Sequence, residues 1–298
     1  IAKIETPYDD KAKSDCYFWQ LVSIRVLADL KEPSAAKALV GVLLDPAKGE
    51  LRGPAVNALR GIPKEADTAL IAALNGTDEA AAAAIAKSPD KVAYTFIADA
   101  LGNVGTAAGR DAVVASFAKI DNDAALAGMA LSLVNFPSDP KAETAFLDVY
   151  KKIGDETLLQ TQAAKGTLMN VSANLYDVKI VDWAIKEGTT TKASEGTAEA
   201  IKGNATNTIL RLFDDSQKKA AEDAVNKLGL PADKAKFATA AKLVDSCKSD
   251  AACYAKVLDE PIVGAPDQKF RFVKATYMAA ALGNDATRAT LGGKLETV

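Results

Sequence analysis

One apolar spacing recurs along the whole 298-residue chain and narrows the architectures it can adopt. A leucine is followed three residues later by a second apolar residue, then by a turn rich in Gly, Pro, Asp or Ser, then by a second apolar segment. The copies are Leu27/Leu30 before KEPS, Leu59/Ile62 before PKEAD, Leu101/Val104 before GTAAG, Leu133/Phe136 before PSDP, Leu168/Val171 before SANLYD and Leu210/Phe213 before DDSQ. Leu243 and Leu282 are weaker copies, with Ser246 and Asp285 in the second place. Successive anchors lie 32 to 42 residues apart, the length of two helices and their connections. A unit of that size cannot bury its apolar face alone, so a chain of such units buries it by stacking.

The segments between anchors read as helices. In four copies an apolar residue (Leu39, Ile71, Val113, Ile180) falls twelve positions after the anchor, which suits an early buried position on the next helix. Pro33, Pro63, Pro137 and Pro140 cannot continue a helix interior, and Ser34, Asp67, Asp139, Asp214 and Ser249–Asp250 are candidate N-caps. The alanine-rich composition favours helices that approach one another closely, and no run of alternating β-branched residues signals strands. No stretch is long and apolar enough to read as a transmembrane helix.

Two of these helix ends carry a family resemblance. Ala100-Leu101-Gly102-Asn103-Val104-Gly105 and Ala281-Leu282-Gly283-Asn284-Asp285 resemble the "A-L-G-x-[apolar/D]" end of HEAT-like repeats. The match extends over most of residues 16–298 but is specific only at these two copies: Arg60 stands where Gly is usual, and the family's Pro and Asp/Arg positions are irregular. The resemblance implies an all-α protein, a right-handed α-α superhelical solenoid of about eight helical hairpins; tetratricopeptide-like and other α-α superhelices share the same period. The expected organisation is an extended segment over 1–15, repeats over 16–187, an irregular polar insertion or hinge over 188–208, and repeats over 209–298. The stretch 188–208 is set apart by its Thr, Gly and Ser content. The first residue is Ile, and together with the last helix, which has no clear capping repeat, this reads as a fragment of something longer.

The chain contains no histidine, so a Ser-His-Asp triad, a Cys-His pair and any imidazole metal site are impossible. Cys16 reads as a core residue beside Tyr17, Phe18 and Trp19, an aromatic cluster expected to cap the core. Phe270 and Phe272 are expected to be core residues as well. Cys247 and Cys253 would be separated by ~9 Å of rise on one unbroken helix, beyond the ~7 Å that a disulfide spans. The N-cap signal at Ser249–Asp250 instead breaks the helix between them, and a tight corner brings the two within reach. The favoured reading is a disulfide, which implies an oxidising compartment; the other is two buried thiols in an intracellular protein. Ser34-x-x-Lys37 and Ser216-x-x-Lys219 lack the partner motifs of a Ser/Lys enzyme, and Asp121-Asn122-Asp123 lacks the Gly and Glu of a calcium loop and reads as a helix cap. No P-loop or dinucleotide fingerprint is present, so no cofactor or metal site is expected.

Formal net charge is −3, and acidic and basic residues are interspersed along the chain without the basic stripe that duplex nucleic acid requires. The expectation is therefore a non-enzymatic protein-binding or scaffold module. Its partner is another, unidentified protein, it binds no nucleic acid, and it belongs to a larger assembly. Tyr176 and Trp183 are the candidate contact residues. The Ala/Lys/Asp-rich style and the cysteine pair are similar to HEAT-like proteins of the bacterial cell envelope, which implies a periplasmic or cell-surface setting, lipoproteins included; the alternative setting is the cytoplasm. Other readings are a HEAT-like enzyme scaffold, DNA glycosylase-like or bilin lyase-like, and a purely structural segment of a longer repeat protein.

Overall fold

A computed structural model describes residues 10–261 and 265–295. Among them are seventeen α-helices and one hairpin of two-residue antiparallel strands, β1 (Leu158–Leu159) and β2 (Gln162–Ala163). The helices form two compact units. The first comprises the described residues up to Phe136 together with Lys141–Ile153, and the second comprises Pro137–Pro140 and the described residues from Gly154 onward.

The first unit holds α1 (Asp10–Leu30), α2 (Ala36–Leu44), α3 (Arg52–Arg60), α4 (Pro63–Asn75), α5 (Glu79–Ala86), α6 (Ala93–Val104), α7 (Ala107–Ser116), α8 (Asp123–Ala130) and nearly all of α9 (Pro140–Lys152). The leucine anchors sit near the ends of α1, α3 and α6 and in the 3₁₀ turn that prolongs α8, and α2, α4, α7 and α9 follow the turns. First helices pack on first helices, α1 on α3, α3 on α6 and α6 on α8, while α2 packs on α4 and α4 on α7. The buried faces meet in a core that includes Ile24, Leu39, Leu59, Ile97, Leu101 and Phe146. Helix α5 belongs to no pair and fills the longer interval between Leu59 and Leu101.

Local chemistry sets the boundaries. Gly76 and Gly105, with φ of 74° and 77°, close α4 and α6 in the left-handed conformation that glycine adopts without steric cost. Asp78, Thr106, Asn122 and Asp250 accept bonds from the first free amides of α5, α7, α8 and α15 (Ala251–Val257). Two expected caps act differently. Ser34 donates to the Glu32 carboxylate, which caps the 3₁₀ turn ahead of α2. Asp67 lies inside α4, where its carboxylate accepts from Thr106 Oγ1 at 2.5 Å.

The second unit holds α10 (Ala164–Val171), α11 (Ile180–Thr190), α12 (Glu195–Leu212), α13 (Lys218–Leu228), α14 (Pro231–Cys247), α15, α16 (Pro266–Leu282) and α17 (Asp285–Leu295). The segment 188–208 is not an irregular insertion: most of it is α12, packed against α10 and α11. Its small and hydroxylated residues serve that packing. A Cβ on Gly188 would lie 2.8 Å from Ala205 Cβ, so only glycine permits this approach of α11 to α12. Thr208 Oγ1 bonds Met169 O and Ser172 Oγ, both at 3.1 Å, and Asn204 Nδ2 donates to Gly166 O at 2.8 Å. Residues 10–15 likewise form the start of α1 rather than an extended segment, and residues 1–9 lie outside the described residues.

The last pair departs from simple stacking. Helix α16 packs on α14 and also reaches back to α12. Lys274 on α16 is fully buried; its Nζ donates to Phe213 O at 2.5 Å and lies 3.8 Å from the centre of the Phe213 ring. Tyr277 OH donates to Asn174 Oδ1 at 2.8 Å, and Arg288 Nη2 donates to Ser138 Oγ at 2.7 Å.

Candidate functional site

Two surface features of the first unit stand out. One is a groove of about 810 Å³ between α2 and α5, floored by the start of α6. Its walls are apolar: Val40, Gly41 and Leu44 from α2, Ala80 and Ala84 from α5, and Phe96 from α6. The alanine run of α5 makes one wall shallow, and Gly41, whose Cβ would meet nothing within 4 Å, does the same for α2. At one end Lys37 Nζ pairs with the Asp78 carboxylate at 2.9 Å. This bond, with those from the Ala81 and Ala80 amides, holds the Asp78 carboxyl below its ordinary range.

The other end is more basic. Arg52 Nε donates to Leu43 O at 3.0 Å, and its guanidinium carbon lies 3.7 Å from the centre of the Phe96 ring. Partial burial pushes its pKa down, opposed by Asp45. Burial also pushes Asp45 up, but the hydrogen bond from Lys48, the Ala47 amide and the charges of Lys48 and Arg52 outweigh it and leave the carboxyl lowered. Lys48 pairs with Asp45 at 2.7 Å, whereas the two Nη groups of Arg52 have no hydrogen-bond partner among the described residues.

The second feature is the outer face of α1. Cys16, Gln20 and Ile24 are buried, and the opposite side carries Phe18, Val22, Val26 and Leu30 at four-residue spacing, with Trp19 beside them. Phe18 is 55%, Trp19 60%, Val26 49% and Leu30 69% exposed, and the Phe18 and Trp19 rings meet edge to face at 5.5 Å. The expectation that Tyr17-Phe18-Trp19 caps the core is therefore corrected. Each helical residue turns by about 100°, so a core contact at Cys16 and Gln20 carries Phe18 to the other side and leaves Trp19 on the flank.

In the second unit α14 ends at Cys247 and α15 begins at Ala251, with the Asp250 carboxylate accepting from Ala252 N at 2.8 Å. This corner brings the Cα atoms of Cys247 and Cys253 to 5.4 Å and their sulfurs to disulfide distance, 1.98 Å. The buried Tyr254 reinforces it by donating its hydroxyl to Lys248 O at 3.0 Å. Cys16 is buried in the first unit.

Tyr176 and Trp183 are both half-buried. Tyr176 packs against Tyr277, ring centres 5.4 Å apart, and burial pushes its phenol pKa up. The two candidate contact residues thus offer less surface than the α1 stripe, whose Phe18 and Trp19 were expected to cap the core. Phe272 packs at the edge of the core around Met278, and Phe270 is half-buried. Among the described residues no helix is long and apolar enough to cross a membrane, and no three acidic or cysteine side chains gather as metal ligands. No protein-family model, curated protein or solved structure matches the chain.

Proposed function

We propose that the protein is a non-catalytic binding module that docks an amphipathic helix of another protein on the outer face of α1. The observation that carries this reading is the stripe of exposed Phe18, Val26 and Leu30 with Trp19, the half-buried Val22 among them, since exposed apolar surfaces of this kind mark interaction sites. The four-residue spacing is one helix wide, and α1 already packs its opposite face on α3, so a partner's helix can seat on the outer face as α3 does on the inner. Aromatic residues at such a face carry much of the binding energy in protein interfaces. The same reading extends to HEAT-like stacking of the helix pairs within each unit, supported by the pairing of α3–α4 and α6–α7.

A photoreactive residue at Val26, installed in the protein in its native source, is expected to give one discrete adduct heavier than the 31.1 kDa chain. The same residue at the exposed Leu230 is expected to give none. Equal adducts at both positions, or none at either, overturn the assignment of the face.

An oxidising, extracytoplasmic setting is part of the proposal, supported by the Cys247–Cys253 pair. Both thiols of the protein unfolded directly from its source should resist alkylation until reductant is added. Immediate labelling places the protein in a reducing compartment. By the loop-closure argument, reduction should lower stability by about 2 kcal/mol, read as a shift of the urea midpoint.

A further inference from the structure

The geometry points to a second binding site, independent of the α1 face: the groove between α2 and α5 takes a single-chain fatty carboxylate, its tail along the alanine wall and its head on Arg52. Three observations converge on this ligand class. First, the space of about 810 Å³ lies in the range of small-molecule sites and is lined by Val40, Leu44 and Phe96 with small residues between them. An apolar chain gains there without stranding a polar group.

Second, the groove is narrow. Helices α2 and α5 are in contact, and the groove runs along their seam. A partner's helix, ~10–12 Å across with its side chains, cannot enter the seam of two touching helices. A single methylene chain can, and Gly41 and Ala84 leave it room.

Third, the charges suit an anion at one end only. Lys37 is engaged by Asp78 at 2.9 Å, so an anionic head there meets a charge that is already compensated and faces the Asp78 carboxylate. At the other end Arg52 is fixed by its bond to Leu43 O and by the Phe96 ring, while neither Nη group has a hydrogen-bond partner among the described residues. A planar guanidinium held in this way matches the two oxygens of a carboxylate. Lys87, which also lines the groove, has no ion pair among the described residues and adds a second positive charge.

The test is calorimetric titration of the full chain at neutral pH with dodecanoate and with dodecyltrimethylammonium, both below their micelle concentrations. Dodecanoate is expected to bind at one site, and the cationic analogue about tenfold more weakly or worse, the scale of one charge-assisted contact. Arg52→Gln should remove most of that preference, leaving what Lys87 supplies. Gly41→Leu should block binding of both amphiphiles while keeping the fold, since its new side chain projects into the groove and leucine favours the helix. Helical circular dichroism confirms that each variant is folded. Equal binding of the two head groups, or dodecanoate binding that survives Gly41→Leu, overturns the site. Tighter binding of an uncharged apolar peptide, lost in Gly41→Leu but kept in Arg52→Gln, overturns the ligand class. None of these outcomes bears on the α1 face, which the photoreactive residue at Val26 tests separately.

Discussion

Replacing Leu101 by alanine should lower the stability of the first unit by about 2–5 kcal/mol, the loss that follows when a fully buried leucine leaves a cavity. Leu101 has no exposed surface, and α6 is the helix on which α3, α4, α7 and α8 all pack, so few neighbours can close the gap. The adjacent Gly102 should resist enlargement for the opposite reason. A Cβ there would lie 2.7 Å from Ser132 O and 2.9 Å from Asn135 Nδ2, so Gly102→Ala must displace backbone and should cost about 1–3 kcal/mol. Gly41→Ala places its methyl in open space on α2 and should stabilise by about 0.5–1 kcal/mol. Urea unfolding of the three variants, followed by helical circular dichroism, checks the set. A neutral Leu101→Ala contradicts the central place of α6.

Lys274→Met should remove a pH dependence that the wild-type protein carries on the alkaline side. Complete burial holds the Lys274 ammonium well below its ordinary value of 10.5, against the opposing pull of the Asp214 carboxylate. The folded-state pKa is therefore the lower of the two, and between it and 10.5 the unfolded chain binds one proton more than the native one. Stability must rise with pH across that window, by about 1.4 kcal/mol per pH unit while the difference is a full proton. Below the folded-state pKa both states are charged and the burial penalty is felt in full. The comparison isolates Lys274 because Lys219 and Lys248, whose pKa values are raised by Asp223 and Asp215, titrate alike in both proteins and with the opposite sign. Urea midpoints measured at successive alkaline pH values should diverge for wild type and Lys274→Met; parallel curves would place the amine in contact with water.

Much of the fold was legible because it rests on periodicity and turn chemistry. The leucine anchors fell near the ends of α1, α3, α6, α10 and α12, and the Asp250 cap produced the corner that unites Cys247 and Cys253. What escaped has a physical cause in each instance. The Thr- and Gly-rich stretch resembles a loop by composition, yet small side chains are what α12 needs to press against α10 and α11. Helix α1 is apolar on two sides, and periodicity alone does not say which side meets α3. The groove is built from alanine, glycine and a single arginine, residue types that announce no chemistry until the fold sets them around a cleft. Helix α5 stood in the sequence as an alanine run, with nothing to show that it lacks a partner in the repeat.

The backward reach of α16 has a kinetic consequence. In an array where each pair touches only its neighbours, folding can nucleate anywhere and spread along the chain. The second unit instead joins Tyr277 to Asn174 and Arg288 to Ser138, across 103 and 150 residues. Such distant contacts add loop-closure entropy before they return stabilisation, and they slow folding. During synthesis, α10 through α15 can therefore emerge as helices yet cannot complete the unit until α16 has left the ribosome. Over that interval the groups of Asn174 and Phe213 that α16 later engages stay open, to chaperones and to one another.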